Sequence, residues 1–230
     1  MFDIKPLVPP SKSKWPYPTL PDPPFRLCVY APSNSGKSVM LSNLISSPEF
    51  PYRDIFGPNI FIVSPTFKLG SIAGMDNVKP ENVFDEFIPE QLQAIINEQA
   101  DLMIKYPKRI QQFLLVLDDV AADLNSSQKQ FLKRIFFGLR HYHGSVAILS
   151  QQFRALPKPV RMNASDSIFF EISNSGELKD IGDESPYPNQ QMLDVLEFAT
   201  TVEPYSFLVV RHKKPKEQRL QLRFTNTILK

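Results

Sequence analysis

Ala31-Pro32-Ser33-Asn34-Ser35-Gly36-Lys37-Ser38 reproduces the phosphate-binding pattern G-x-x-x-x-G-K-[ST], with alanine in place of the first glycine. The apolar residues from Phe25 to Tyr30 predict a strand before this loop, and residues 38–46 predict a helix after it. A strand, a loop and a helix in this order form the usual setting for binding a nucleoside triphosphate. The sequence therefore predicts a P-loop nucleotide site, and a degenerate loop without nucleotide is the alternative.

Each residue type in the loop suits a triphosphate bound to Mg2+. Backbone N–H groups and the positive end of the helix surround the phosphates, Lys37 contacts the β and γ oxygens, and Ser38 ligates the metal. Because alanine avoids positive φ angles, we expect ordinary backbone angles at Ala31 and the sharper bend at Gly36. The predicted contacts to ATP are Ser33, Asn34, Ser35, Gly36, Lys37 and Ser38.

The length and composition are those of an ordinary globular domain. The chain has 230 residues, 42% hydrophobic and 22% charged, which suits one α/β core. It has no apolar run of membrane-spanning length and no signal-peptide pattern at its N-terminus. The single cysteine, Cys28, excludes a disulfide framework, is compatible with a reducing compartment, and is expected to be a small core residue.

The first 24 residues contain eight prolines and are expected to form an extended arm, separate from a P-loop domain over residues 25–230. Trp15 and Tyr17 could attach this arm to its own domain or to a neighbouring subunit, and a poorly ordered leader is the alternative.

Strands and helices alternate along most of the chain, which predicts a mostly parallel sheet flanked by helices, the α/β fold of P-loop NTPases. Residues 51–58 are expected to be irregular and residues 65–82 to form a loop. The last two strands, joined by a Lys-Lys-Pro-Lys turn, predict an antiparallel edge hairpin within about residues 205–230. The predicted strands are 25–30, 59–64, 113–117, 145–149, 166–172, 206–211 and 220–224, and the predicted helices are 38–46, 89–106, 126–139 (capped by Asn125) and 192–199.

Positive charge is concentrated at the C-terminus. The net charge is +2, but the last twenty residues carry seven basic residues and one acidic residue, so the rest of the chain is mildly acidic. Such a segment suits a polyanion, and a solvated hairpin with edge-protecting lysines is the alternative.

An acidic pair, Asp118-Asp119, directly follows the apolar run 113–117. Parallel strands deliver such groups to the ligand crevice, and we expect adjacent strands to bring this pair beside the P-loop. Asp118 would hold Mg2+ and Asp119 would act as the general base, although it is one methylene shorter than the usual glutamate. A solvated turn is the alternative.

Gln151 follows the strand at 145–149 and would lie beside the acidic pair if the two strands are neighbours. It would then sense the γ-phosphate. An exposed amide at the end of a strand is the alternative.

Several segments together resemble the FtsK/HerA superfamily of DNA-pumping ATPases, and within it the genome-packaging ATPases of large double-stranded DNA viruses, the poxvirus-type group and its virophage relatives. The likeness spans about residues 25–212. It rests on Phe137-Gly138-Leu139-Arg140-His141, on 145–151 ending in Ser150-Gln151, on Leu156-Pro157 through Arg161-Met162-Asn163, and on Ser167-Ile168-Phe169-Phe170.

The resemblance implies a catalytic role for Asp119, a sensor role for Gln151, and an arginine that enters the neighbouring subunit's site. Arg140 is the first candidate for that arginine, and Arg154 and Arg161 are rivals. Any one of them could instead be a structural ion pair.

The resemblance also implies an ATP-driven translocase that packages double-stranded DNA as a ring of five or six subunits. It would act in the host cytoplasm or virus factory, and transiently at a virion vertex beside a capsid or portal protein. The loop 66–80, with Lys68 and Lys79, and the segment 211–219 are candidate DNA contacts. The alternatives are a nucleotide-binding assembly protein of the virion and another P-loop kinase or NTPase. A GTPase is disfavoured because the chain lacks an Asn-Lys-x-Asp sequence.

Overall fold

The computed structural model describes residues 15–66, 75, 77–107 and 111–228. Within these ranges nine strands form one sheet with the order β3-β2-β4-β5-β1-β6-β7-β8-β9. The strands are β1 (Arg26–Tyr30), β2 (Ile60–Val63), β3 (Val83–Phe84), β4 (Phe113–Asp118), β5 (Gly144–Ser150), β6 (Asp166–Phe169), β7 (Leu208–Arg211), β8 (Leu220–Leu222) and β9 (Asn226–Thr227).

Strands β1 to β6 pair in parallel, whereas β7, β8 and β9 continue the sheet in antiparallel pairs. The mostly parallel α/β fold is therefore confirmed, as is the antiparallel C-terminal pair. The helices are α1 (Lys37–Ser46), α2 (Tyr52–Phe56), α3 (Pro89–Lys105), α4 (Ser126–Gly138), α5 (Lys158–Met162), α6 (Ser175–Glu184) and α7 (Asn189–Thr201).

The sheet separates two apolar cores, because successive side chains of a strand point to opposite faces. In β4, Phe113, Leu115 and Leu117 join the core beneath α3, α4 and α7, whereas Leu114 and Val116 join the core beneath α1 and α2. All six residues of β4 are buried, as expected for a central parallel strand. This burial fixes the strand ends, and with them the positions of the polar residues that follow.

The strand order corrects one expectation. The strands that end in the P-loop and in the acidic pair are not neighbours, because β5 pairs with β1 on one side and with β4 on the other. Both strands are mostly apolar and buried, so their sequences fit equally well with or without a strand between them. The neighbouring positions of β4 and β5, on which the placement of Gln151 depends, are confirmed.

Three helices lie where the sequence patterns predict none. Residues 51–58 are not irregular, since α2 forms there and packs Tyr52 against Phe25 with ring centroids 5.6 Å apart. Helices α5 and α6 follow β5 and β6, and Asn174 caps α6 by accepting a hydrogen bond from the Glu177 backbone N–H. The cap of α4 at Asn125 is as predicted, with a complete capping box.

The described end of the arm, residues 15–24, lies against its own domain. Trp15 stacks on Tyr52 at 6.3 Å and donates to the Leu20 carbonyl, while the Tyr52 hydroxyl donates to the Pro21 carbonyl at 2.5 Å.

Among the described residues, no helix has the length and apolar character needed to cross a membrane.

Candidate nucleotide-binding site

The P-loop connects the end of β1 to the start of α1, as the sequence predicts. Gly36 precedes the helix with a φ of 90°, and Asn34 also adopts a left-handed conformation with a φ of 61°. Ala31 is fully buried, is not among the positive-φ residues, and donates its N–H to the Ser150 carbonyl at 3.0 Å. The alanine therefore fits because the chain still follows the sheet at this position, and the turn comes later.

Polar side chains shape the rest of the loop. The Ser35 hydroxyl donates to the Pro32 carbonyl at 2.7 Å, and the Ser33 hydroxyl donates to Oε1 of Gln151 at 2.8 Å. Ser38 is half-buried in the first turn of α1, which contains no acidic residue. The N–H groups of that turn and the positive end of the helix are therefore suited to an anion.

The acidic pair lies directly against Lys37. Nζ of Lys37 forms ion pairs with Oδ2 of Asp119 and, at 3.5 Å, with Oδ1 of Asp118. Strand β5 bridges the two motifs, since its last carbonyls accept the N–H groups of Asp119 and Ala31. The separation of β1 and β4 by one strand thus brings the lysine and both carboxylates together.

Asp119 has a φ of 56°, a left-handed conformation that aspartate tolerates better than most residues. This conformation bends the chain at the end of β4, and the Asp119 carboxylate reaches both Lys37 and Gln151. The aspartate is therefore long enough to reach the P-loop lysine.

Burial controls the protonation of Asp118, which is only 8% exposed. Loss of hydration raises the pKa of Asp118, and the negative charge of Asp119 raises it further. The positive charge of Lys37 and a hydrogen bond from the Ser64 hydroxyl, at 3.1 Å, lower the same pKa but do not cancel the effect of burial. A second cation close to Asp118 would therefore favour its ionised form.

Two buried carboxylate oxygens of the site, Oδ1 of Asp118 and Oδ1 of Asp119, accept no hydrogen bond from the described residues. Oδ1 of Asp118 has the Lys37 ammonium as its ion-pair partner at 3.5 Å. Buried carboxylate oxygens without donors are costly unless a cation or water satisfies them. Carboxylate and hydroxyl oxygens are the ligands that Mg2+ prefers, so Asp118 and Ser38 fit this ion by donor type.

Gln151 contacts both the acidic pair and the P-loop. Its Nε2 donates to Oδ2 of Asp119 at 2.9 Å, and its Oε1 accepts the Ser33 hydroxyl. The amide thus joins the end of β5 to the P-loop and to the carboxylate that follows β4. Because both ends of the amide are engaged, its orientation is fixed relative to Asp119.

Two of the three candidate arginines are held by acidic side chains of their own subunit. Arg161 pairs with Glu184, with Nε donating to Oε2 at 3.0 Å, and its guanidinium lies 4.4 Å from the Phe153 ring centroid. Arg154 donates to Asp180 at 2.5 Å, although its side chain remains 58% exposed.

Arg140 lies at the opposite end of β5 from Gln151. It belongs to a 3-10 turn over Leu139–Tyr142, immediately before β5, whereas Gln151 follows the same strand. Seven strand residues separate these positions by about 20 Å. Arg140 therefore lies out of reach of the P-loop of the same chain. Burial lowers the pKa values of Arg26 and Lys213, and the positive charge of Arg140 lowers both further, so the three basic groups lie near one another.

The candidate DNA contacts are only partly described. Lys68 lies outside the described residues, and Lys79 is exposed. Arg211 corrects the expectation for the segment 211–219, because it is 3% exposed, pairs with Asp166 and donates to the carbonyls of Pro18 and Leu20. This arginine holds the arm and is not part of an exposed basic surface.

Sequence reasoning does not identify Ser64, the hydrogen-bond donor to Asp118. Ser64 directly follows β2, and β2 pairs with β4. Its place after a predicted strand, where Asp118 also lies, was therefore the sequence feature that could have identified it.

The comparisons with known proteins agree with this architecture. Residues 12–202 match the family model described as Poxvirus A32 protein. The chain is 27% identical over 161 residues to the DNA packaging protein OPG160 of Variola virus and to that of Vaccinia virus (strain Western Reserve), covering 66% of this chain and 55% of each relative. The chain thus spans about half the length of these relatives.

Two solved structures have the same fold. B204, the DNA-packaging ATPase from Sulfolobus Turreted Icosahedral Virus, is 15% identical with a TM-score of 0.60, covering 87% of this chain and 97% of B204. The genome packaging NTPase B204 from Sulfolobus turreted icosahedral virus 2, in complex with AMPPCP, is 15% identical with a TM-score of 0.59, covering 91% and 100%. The resemblance to the poxvirus-type group is confirmed, and since the family model covers most of the sequence, this chain belongs to the poxvirus A32 protein family.

Proposed function

We propose that this chain is an ATPase that drives double-stranded DNA into a viral capsid. The observation that carries the proposal is the contact of Lys37 with Asp118 and Asp119, and of Asp119 with Gln151, next to the P-loop. Family membership supports DNA as the molecule that is moved, because relatives in two poxviruses are named DNA packaging proteins.

Nucleotide binding requires Lys37 to change partners. In the present structure its ammonium group neutralises the acidic pair. When the P-loop N–H groups bind the triphosphate, Lys37 turns to the β and γ oxygens. Ser38 and Asp118 would hold Mg2+, which would supply positive charge to neutralise the phosphate oxygens. The exchange keeps Asp118 next to a cation both with and without nucleotide.

Hydrolysis then depends on Asp119 and Gln151. Released from Lys37, the Asp119 carboxylate accepts a proton from the water that attacks the γ-phosphate. Gln151 keeps donating to Asp119 and orients this carboxylate, and through Ser33 it senses whether the P-loop is filled.

We further propose that the active subunits form a ring of five or six around the DNA. Arg140 is our candidate for the residue that enters the neighbouring site, because it is exposed and precedes β5, whereas the nucleotide would lie beyond the other end of that strand. A guanidinium suits this task because it stays charged and presents a planar fork of donors. Arg154 and Arg161 are less suitable because carboxylates already engage them.

The remaining assignments follow from this scheme. Residues 1–24 would serve as an arm and residues 25–230 as the ATPase domain. Lys79 and the exposed lysines of 213–219 would contact DNA phosphates with little base specificity. Packaging would take place in the host cytoplasm or virus factory, with the ring at a virion vertex beside a capsid or portal protein.

The test of the motor is ATP hydrolysis with and without duplex DNA. We expect DNA to stimulate turnover, and we expect Lys37→Ala and Asp119→Asn to abolish it. Asp123→Asn is the matched control, since this exposed carboxylate lies four residues beyond Asp119. Equal turnover with and without DNA, together with active Lys37→Ala, would contradict the proposal.

A nucleotide-binding assembly protein is the second candidate. The observation in its favour is the aspartate at position 119, one methylene shorter than the usual glutamate. This candidate predicts ATP binding without DNA-stimulated hydrolysis, so the same assay separates the two.

The role of Arg140 has its own test. If it acts in the neighbouring subunit, adding Arg140→Ala protein to wild type should lower turnover by more than its share of the subunits, because each variant inactivates an adjacent site. Arg134→Ala, at an exposed arginine of α4 that is not a candidate, is the matched control. A fully active Arg140→Ala protein and an inactive Arg161→Ala protein would show that the wrong arginine was chosen.

A further inference from the structure

A group of aromatic side chains lies on the opposite side of the P-loop from the acidic pair. In the sheet, β4 lies two strands to one side of β1, whereas β6, β7 and β8 lie to the other side. Phe170, Phe207 and Phe224 occur where these three strands reach the P-loop edge. They therefore lie on the side of the loop away from Asp118 and Asp119.

These rings line a large open cleft that is continuous with the P-loop. The cleft has a volume of about 1080 Å³, and its lining includes Lys37, Ser38, Phe50 and Phe224. Phe224 packs edge-on against Phe50 at 6.2 Å and against Phe207 at 5.4 Å. One end of the cleft is thus the predicted phosphate site, and the walls of the rest are mostly apolar, with polar side chains that include Asn43, Glu49 and Thr225.

Tyr205 is the most unusual residue of the cleft. Its side chain is 70% exposed, and its backbone has a φ of 59°, which is costly for a bulky residue. The ring lies against the P-loop, because a Cβ atom on Gly36 would be 3.1 Å from Cδ1 of Tyr205. Among the described residues, no aromatic ring stacks on it. An exposed ring held beside the P-loop by an unfavourable backbone suggests a role in binding.

The turns that carry these rings are fixed to each other. Arg223 also has a positive φ, 51°, and its guanidinium pairs with Glu203 at 2.7 Å. Its backbone N–H donates to the Phe207 carbonyl at 3.0 Å. These contacts join the turn before β7 to the turn after β8 and set the position of Tyr205 relative to Phe224.

We propose that this cleft binds the adenine base of ATP, stacked on Tyr205 and enclosed by Phe50 and Phe224. The inference rests on the proposed nucleotide site and deepens it. A nucleotide whose phosphates fill the P-loop carries its base covalently into the adjoining space, with the γ-phosphate directed at the acidic pair. The flat, apolar faces of a base suit aromatic walls, and Asn43, Ser47 and Thr225 supply polar groups for its edge.

The test compares a ligand that has a base with one that has none. Affinities for AMPPCP and for inorganic tripolyphosphate are measured by calorimetry with Mg2+ on the full chain. We expect wild type to bind AMPPCP more tightly than tripolyphosphate. Tyr205→Ala should weaken AMPPCP binding about tenfold and leave tripolyphosphate binding unchanged. Tyr205→Phe keeps the ring and should bind as wild type, as should Tyr106→Ala, the control for losing an exposed tyrosine outside the cleft.

Three results would overturn the proposal and leave the phosphate site standing. Wild type could bind both ligands equally, or Tyr205→Ala could leave AMPPCP binding unchanged. Tyr205→Ala could also weaken both ligands by the same factor, which would show that the ring only supports Gly36. If wild type bound neither ligand, the proposed nucleotide function itself would fail.

A second measurement does not depend on how the variants fold. Wild type is photolabelled with 2-azido-ATP, and labelled peptides are identified by mass spectrometry. Labels within 203–207 or 222–225, lost on adding excess ATP, support the base site. Labels only elsewhere, or labelling of these peptides that duplex DNA blocks and ATP does not, would assign the cleft to another occupant.

Discussion

Removing the Lys37 side chain should destabilise the nucleotide-free protein as well as abolish nucleotide binding. Its ammonium group is the partner of two carboxylates, and the Lys37, Asp118 and Asp119 side chains are 9%, 11% and 18% exposed. Removing one partner of a buried ion pair costs about 3–5 kcal/mol, because the remaining charge is left unpaired. The partial exposure of Asp119 favours the lower end of this range. We therefore expect Lys37→Ala to lose about 3 kcal/mol of unfolding free energy.

In a protein of this length, about 3 kcal/mol corresponds to a fall in Tm of about 6–12 °C. The loss should depend on pH. Burial already raises the pKa of Asp118 above its unfolded value of about 3.9, and removing the lysine raises it further. A group with a raised folded-state pKa destabilises the fold once it ionises, so the penalty is small near pH 4 and grows as pH rises through the folded pKa.

The assay is thermal unfolding followed by circular dichroism from pH 4 to pH 8, without nucleotide or metal. Adding Asp118→Asn to Lys37→Ala should recover at least half of the loss at pH 8, since the unpaired charge is removed. Lys79→Ala, at an exposed lysine, should change little. A fall in Tm of less than about 2 °C, or a second substitution that only adds to the loss, would refute the reasoning.

The remaining predictions concern other parts of the molecule. Gly144→Ala should lower stability by about 1–3 kcal/mol in chemical unfolding, because its Cβ would lie 2.4 Å from the Phe113 ring; unchanged stability would show that this ring moves freely. Arg211→Met should expose the arm to limited proteolysis and destabilise the fold by about 3 kcal/mol through the unpaired Asp166, and an equally resistant arm would contradict this. Gln151→Ala should reduce turnover about tenfold with ATP affinity unchanged in equilibrium binding, whereas a loss confined to affinity would deny it an orienting role.

The sequence was sufficient to predict the polar centre of the candidate site. Lys37, Asp118 and Gln151 each follow or adjoin a strongly apolar strand, and parallel strands bring their ends to one edge. In the structure Lys37 contacts Asp118 across the intervening strand β5, and Gln151, which follows β5, contacts Asp119. Their chemical roles stay predictions until activity is measured.

The strand order could not be predicted, because burial on both faces makes β1, β4 and β5 equally apolar and interchangeable by pattern. Ser64 was missed for the same reason, since its contact with Asp118 depends on β2 pairing with β4. Helix α2 is flanked by Pro51 and by Gly57, which favour a loop, and the packing of Tyr52 against the arm stabilises it. In α2, tertiary contacts therefore outweigh the local preference of the flanking residues for a loop.

The most direct test of the account is an experimental structure of the protein with AMPPCP and Mg2+. We expect Nζ of Lys37 to leave Asp119 and to lie about 3 Å from a β- or γ-phosphate oxygen, with Ser38 and Asp118 holding the metal. A triphosphate bound elsewhere, or bound at the P-loop with Lys37 still paired to Asp119, would contradict it.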